Sequence, residues 1–132
     1  MTPQELGAIG ELYVERVLSA IGLVVEMGGP ADLLVEGVPV EVKAAVPGVF
    51  RPGYRGYQFC LHREGRNGVQ AAVVILLCYW DLEQEPVAFV IPAEEIGDRR
   101  KVGISGDPWI YSGKWARWYR RWDVIGDFIL KW

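Results

Sequence analysis

Asp32, Glu41 and Lys43 are the residues whose types and spacing in this chain suit chemistry. They lie in Ala31-Asp32-Leu33-Leu34-Val35-Glu36-Gly37-Val38-Pro39-Val40-Glu41-Val42-Lys43, which reads as two short apolar strands joined by a tight turn at Glu36-Gly37. If Glu36 and Gly37 make the turn, Val35 pairs with Val38 and counting back sets Asp32 opposite Glu41. Paired residues in an antiparallel ladder share a face, with Cβ atoms about 5 Å apart. Lys43, two residues beyond Glu41, falls on the same face, while Val40 and Val42 point into a core. Two facing carboxylates repel unless a cation stands between them. A divalent metal with a lysine beside it meets that need and suits hydrolysis of a phosphodiester. Asp32 and Glu41 are the candidate ligands for Mg²⁺, with the backbone carbonyl of Val42 completing the shell, since this hard ion takes oxygen donors and keeps several waters. Lys43 is placed to orient the attacking water or to offset developing negative charge. The plainer alternative is a solvated hairpin face with a surface ion pair worth under about 1 kcal/mol. The small apolar residues around the three charges argue instead for buried strands, where charges are kept when paired or metal-bound.

The elements that must position these residues are legible from pattern. Thr2-Pro3-Gln4-Glu5 is a helix start with an N-cap, a proline at the first helical position and a capping-box glutamate. Leu6, Ile9, Tyr13, Val17 and Ile21 then recur at helical spacing until Gly22. Glu11 falls at the margin of that stripe. It reads as a helix-surface carboxylate or as a group looking across at Asp32 and Glu41, where it would hold a metal-bound water or a second ion. Leu23-Val24-Val25 is a first strand before the hairpin, and residues 46–56, rich in Pro, Gly and Arg, read as a loop. Tyr57 to Arg63 alternates as a strand, Ala71 to Tyr79 is a central, doubly covered strand, and Val87 to Ile91 a further one. A short helix begins at Pro92, and Val102 to Ser105 is an expected edge strand. Lys114 to Val124 is expected to be a second long helix, with Trp115, Trp118, Tyr119 and Trp122 on one face and Lys114, Arg117 and Arg121 on another. The order of elements gives an α/β (α+β) fold, a mixed sheet flanked by helices, in a single domain over residues 1–132.

In these residues the chain resembles a known family. Gly7-x-x-x-Glu11 on a helix, Asp32 on a strand and Glu41-Val42-Lys43 on the next resemble the PD-(D/E)XK nuclease superfamily. Size and layout are similar to the archaeal Holliday junction resolvases and to small restriction and homing endonucleases. The motifs cover about residues 5–45, with Ala31 before Asp32 and Pro30 one place early, and no glycine- and serine-rich basic loop stands at residues 26–31. The resemblance implies a restriction-endonuclease-like core that opens with a helix and a three-stranded antiparallel meander. It further implies DNA cleavage with Mg²⁺, for which Mn²⁺ substitutes, and a homodimer. It makes Gln58 a further candidate catalytic residue beside Glu11, Asp32, Glu41 and Lys43, with a plain strand residue as the alternative. Junction-specific cleavage, sequence-specific cleavage of the restriction or homing type, and an inactive nucleic-acid-binding module are the readings that follow.

Charge distribution fits a polyanionic substrate better than the net −3 alone. Residues 1–43 carry seven acids against Arg16 and Lys43. Residues 44–66 reverse this with Arg51, Arg55, Arg63 and Arg66 against Glu64, and residues 99–121 hold seven bases against Asp107. Arg51, Arg55, Arg63 and Arg66, just past the hairpin, are the preferred phosphate contacts, joined by Lys114, Arg117 and Arg121. His62, the one histidine, reads as a surface or substrate-contacting residue, with general base as the alternative. The tryptophans read as core or dimer contact, with a base-stacking platform as the alternative. Cys60 and Cys78 sit in apolar runs and read as core thiols of a cytoplasmic protein, with a disulfide as the alternative. The longest apolar run, Ala71 to Trp80, is too short to span a membrane, and no secretory leader is evident.

Overall fold

The computed structural model describes residues 1–28, 31–61 and 70–131; His62, Arg63 and Arg66 lie outside them. Helix α1 runs over Pro3–Ala20, and its first turn closes as the sequence dictates: the Glu5 N–H donates to Thr2 Oγ1 at 3.1 Å. Strands β1 (Val25–Met27), β2 (Leu33–Val35) and β3 (Val38–Ala45) form the expected antiparallel meander, with β1 starting at Val25 rather than covering Leu23-Val24-Val25. Val35 pairs with Val38, and Glu36 and Gly37 make the turn at φ 48° and 83°, the pair of positive values a two-residue hairpin favours. Strand β6 (Val73–Cys78), with every residue buried, lies parallel to β3 and antiparallel to β7 (Val87–Pro92). The result is a five-stranded mixed sheet in the order β1-β2-β3-β6-β7.

Register fixes what each face carries. One face holds Val42, Ile75 and Val90, then Ala44, Leu77 and Ala88; the other holds Glu41, Val74 and Ile91, then Lys43, Leu76 and Phe89. Helix α1 seats on the first face at Gly10, where a Cβ would stand 3.1 Å from Leu77 Cδ1 and 3.2 Å from Ala44 Cβ. That close approach turns Gly10, Val14 and Leu18 inward. The stripe read from apolar residue types is therefore displaced: Ile9 and Ile21 are exposed, because a glycine that lets backbones approach is invisible to a count of hydrophobic residues.

Two segments take a different form from the one expected. Residues 46–56 are not a loop. Strands β4 (Gly48–Arg51) and β5 (Tyr54–Cys60) form a hairpin around Pro52-Gly53, a pair suited to a tight turn, with β8 (Lys101–Ser105) on the other side of β5. This second, three-stranded sheet contacts β3 through β5. Lys114 to Val124 is not a long helix either. It holds only a 3-10 turn at Ala116–Trp118; Tyr119 then bridges to Phe89, the Arg120 N–H donates to the Ala88 carbonyl at 2.8 Å, and Arg120 takes φ 52°. Tryptophans three apart suit a 3-10 turn as well as an α-helix, and pairing to the edge of β7 satisfies the backbone that a helix would otherwise satisfy. The terminal helix comes later, α3 at Asp123–Lys131, after the short helix α2 at Ala93–Ile96.

Among the described residues no helix is long and apolar enough to cross a membrane. Both cysteines are free thiols. Cys78 is buried, with its pKa raised by that burial, but Cys60 is exposed because it alternates outward from Phe59 on β5.

Candidate active site

Asp32 lies in a bend one residue before the Leu33–Val40 pair, where continuing the hairpin register would set it opposite Glu41. Asp32 is half-buried and its Oδ2 accepts from the Val42 N–H at 2.9 Å, which fixes its carboxylate against β3. A strand residue sends its N–H and C=O toward the same edge, so the Val42 carbonyl is directed to the side on which Asp32 lies. Glu41 is the only charged residue among those described as buried, at 7 % exposure. Lys43 Nζ stands 3.4 Å from Glu41 Oε1 on the shared face. The structure thus ties Asp32 to the Val42 backbone and Lys43 to Glu41, on three consecutive residues of β3.

This donor set fits a hard divalent ion. Two carboxylates, one carbonyl and waters are what Mg²⁺ takes when a protein does not enclose it. Among the described residues no three His, Cys, Asp or Glu side chains converge closely enough to hold a metal, so Glu11 does not join Asp32 and Glu41 as a third direct ligand. Glu11 is half-buried on α1, next to Gly10. Gln58 is exposed on β5, on the side away from Tyr57 and Phe59.

A different glutamine is near Glu41. A small cavity of about 40 Å³ on the Glu41 face is lined by Glu41, Val74, Leu61, Ile96, Gln70 and Arg99, among others. Gln70 and Arg99 escaped the sequence reading because neither carries a motif: Gln70 precedes β6 and Arg99 follows α2, and pairing of β6 with β3 and β7 brings both to the cavity beside Glu41.

The basic residues fall into two groups. Arg55 is exposed on β5 and Arg51 lies on β4, paired with Tyr54. In the second group cations stack on tryptophans rather than forming a separate helix face. Arg117 lies 4.6 Å and Arg121 5.6 Å from the Trp118 ring centre, and Arg99 and Lys114 lie 5.4 and 5.5 Å from that of Trp115. Trp115 and Trp118 are buried in the core, which agrees with the core reading and leaves their faces to cations rather than bases. Arg121 is also committed to Asp123 through two bonds of 2.9 Å, which raise the arginine and hold the Asp123 carboxyl below its usual range.

The architecture matches a solved protein. A bacterial homing endonuclease, I-Ssp6803I, superimposes with a TM-score of 0.70 over 98 % of this chain and 95 % of its own, at 14 % sequence identity. The two share a fold. No protein-family model matches the sequence, and no curated protein does. The helix, meander and mixed sheet expected for a nuclease-like core are therefore the fold of this chain.

Proposed function

We propose that this chain is a metal-dependent DNA endonuclease whose centre is Asp32, Glu41 and Lys43. The observations that support the reading are the buried Glu41 carboxylate with Lys43 Nζ 3.4 Å away and the Asp32 carboxylate held by the N–H of the intervening residue Val42. Carboxylates held on neighbouring strand positions favour a cation beside them. Asp32, Glu41 and the Val42 carbonyl are the groups that would hold Mg²⁺, or Mn²⁺ in its place. When bound, such an ion supplies Lewis-acid polarisation of the phosphoryl group and acidifies water. Lys43 orients the attacking water and offsets negative charge as the phosphorus–oxygen bond to the leaving nucleotide breaks. The resemblance of the Asp32 and Glu41-Val42-Lys43 motifs to the PD-(D/E)XK superfamily supports the same assignment.

Likeness to a homing endonuclease over nearly the whole of both chains favours cleavage of a recognition sequence over cleavage of a four-way junction. Arg51, Arg55, Arg63, Arg66, Lys114 and Arg117 are the proposed phosphate contacts, with Arg121 a lesser one because Asp123 offsets its charge. Two copies acting as a homodimer would set one centre against each strand.

The test is cleavage of a plasmid library with random inserts, alongside a four-way junction, in Mg²⁺ or Mn²⁺. The wild type cuts a subset of inserts, chelation stops it, and Asp32→Ala and Lys43→Ala abolish it. Salt-sensitive DNA binding with no cleavage of either substrate would instead assign a binding module on a nuclease fold.

A further inference from the structure

We infer that Arg99 is a further catalytic residue, one that grips the phosphate lying over Glu41. This rests on the proposed centre and extends it by a side chain from the far end of the sequence. Arg99 follows α2, which stops at Ile96 as Gly97 takes φ 59°. The chain folds back there: the Arg99 N–H and its Nη1 both donate to the Ile96 carbonyl, at 3.3 and 3.1 Å. The guanidinium also lies 5.4 Å from the centre of the buried Trp115 ring. An exposed arginine normally samples many rotamers; one held by a carbonyl and an indole face is pre-organised, and its remaining N–H donors keep a fixed direction. That direction matters because Arg99 lines the same cavity as Glu41.

Charge sets the chemical class of what Arg99 meets. The Asp32–Glu41 side attracts a cation, while Arg99 and Lys114, both beside the Trp115 ring, attract an anion. A phosphodiester whose one oxygen faces the carboxylate-held ion and whose other faces a planar fork of N–H groups satisfies both. Arg99 is therefore suited to bear the negative charge that builds on the non-bridging oxygens as the attacking water adds. Lys114 shares the Trp115 ring with Arg99, and Arg117 and Arg121 lie over that of Trp118.

The experiment compares wild type, Arg99→Ala, Arg99→Lys and Asp32→Ala on the random-insert plasmid library at saturating DNA. Arg99→Ala lowers kcat on the order of a hundredfold, the cost of removing one transition-state donor. Calorimetric Mn²⁺ binding stays at the wild-type value, Arg99→Lys recovers part of the rate, and added guanidinium ion rescues Arg99→Ala but not Asp32→Ala. Loss of fold alone predicts no such rescue. Should Arg99→Ala melt early, Arg99→Gln carries the same test. Arg99→Ala cutting at the wild-type rate while Asp32→Ala is inert overturns the role of Arg99 and leaves the centre standing. A wild type that cuts nothing overturns both.

Discussion

At the scale of single residues, the account stands on a carboxylate that a folded protein has reason to avoid. Glu41 is buried, and Lys43, 3.4 Å away and partly exposed, can be hydrated when that carboxylate is neutralised. Glu41→Gln should therefore leave the melting midpoint unchanged or higher while cutting cleavage a hundredfold or more, on the order seen when an electrostatic contributor is removed. A matching loss of both stability and activity would make Glu41 structural. The Val35–Val38 turn and the shared face of Glu41 and Lys43 were legible in the sequence because a two-residue turn and a period of two determine which residues face each other, and those rules are local. Gln70 and Arg99 were not, since the parallel pairing of β3 with β6 is set by tertiary packing. Gln58 drew notice from motif order, yet the alternation of β5 leaves it exposed.

Among the elements, α1 and the segment after β8 show what pattern reading finds and misses. Helix α1 was plain from its cap, but its buried face depends on Gly10. Gly10→Val should clash with Leu77 and Ala44 and cost roughly 1–3 kcal/mol in chemical denaturation, as overpacking does. The hairpin of β4 and β5 was hidden because proline, glycine and arginine obscure strand alternation, and the last helix was placed too early because aromatics three apart fit more than one geometry. Trp118→Ala should cost about 3–5 kcal/mol as a core truncation, against about 0.5–1 kcal/mol for Arg117→Ala, which removes only a stacked cation. In the sheets, burial pushes the phenols of Tyr57 and Tyr79 up to about 12 from an ordinary 10.0. The folded state then keeps protons that the unfolded chain releases, so their contribution is whole below the unfolded value and is lost as pH rises through the folded one. Thermal melts should fall between pH 10.0 and about 12, and less steeply in Tyr79→Phe. That variant also removes a buried hydroxyl with no hydrogen-bond partner among the described residues, so it should be no less stable than wild type.

For the whole molecule, the same fold as I-Ssp6803I at 14 % identity reflects how few constraints a fold imposes: a capped helix, a hairpin register and an apolar central strand. The charges are what such constraints leave free, and here they divide the protein into an acidic hairpin and a basic tail stacked on two tryptophans. DNA affinity should accordingly fall steeply with salt, and removing Lys114 and Arg117 together should reduce the slope of log affinity against log salt by about two. The central claim is that Asp32 and Glu41 jointly hold a divalent ion, and isothermal titration with Mn²⁺ tests it most directly. The account predicts a binding isotherm for the wild type that disappears in both Asp32→Asn and Glu41→Gln. Equal heats in all three proteins, or none in the wild type, would contradict it.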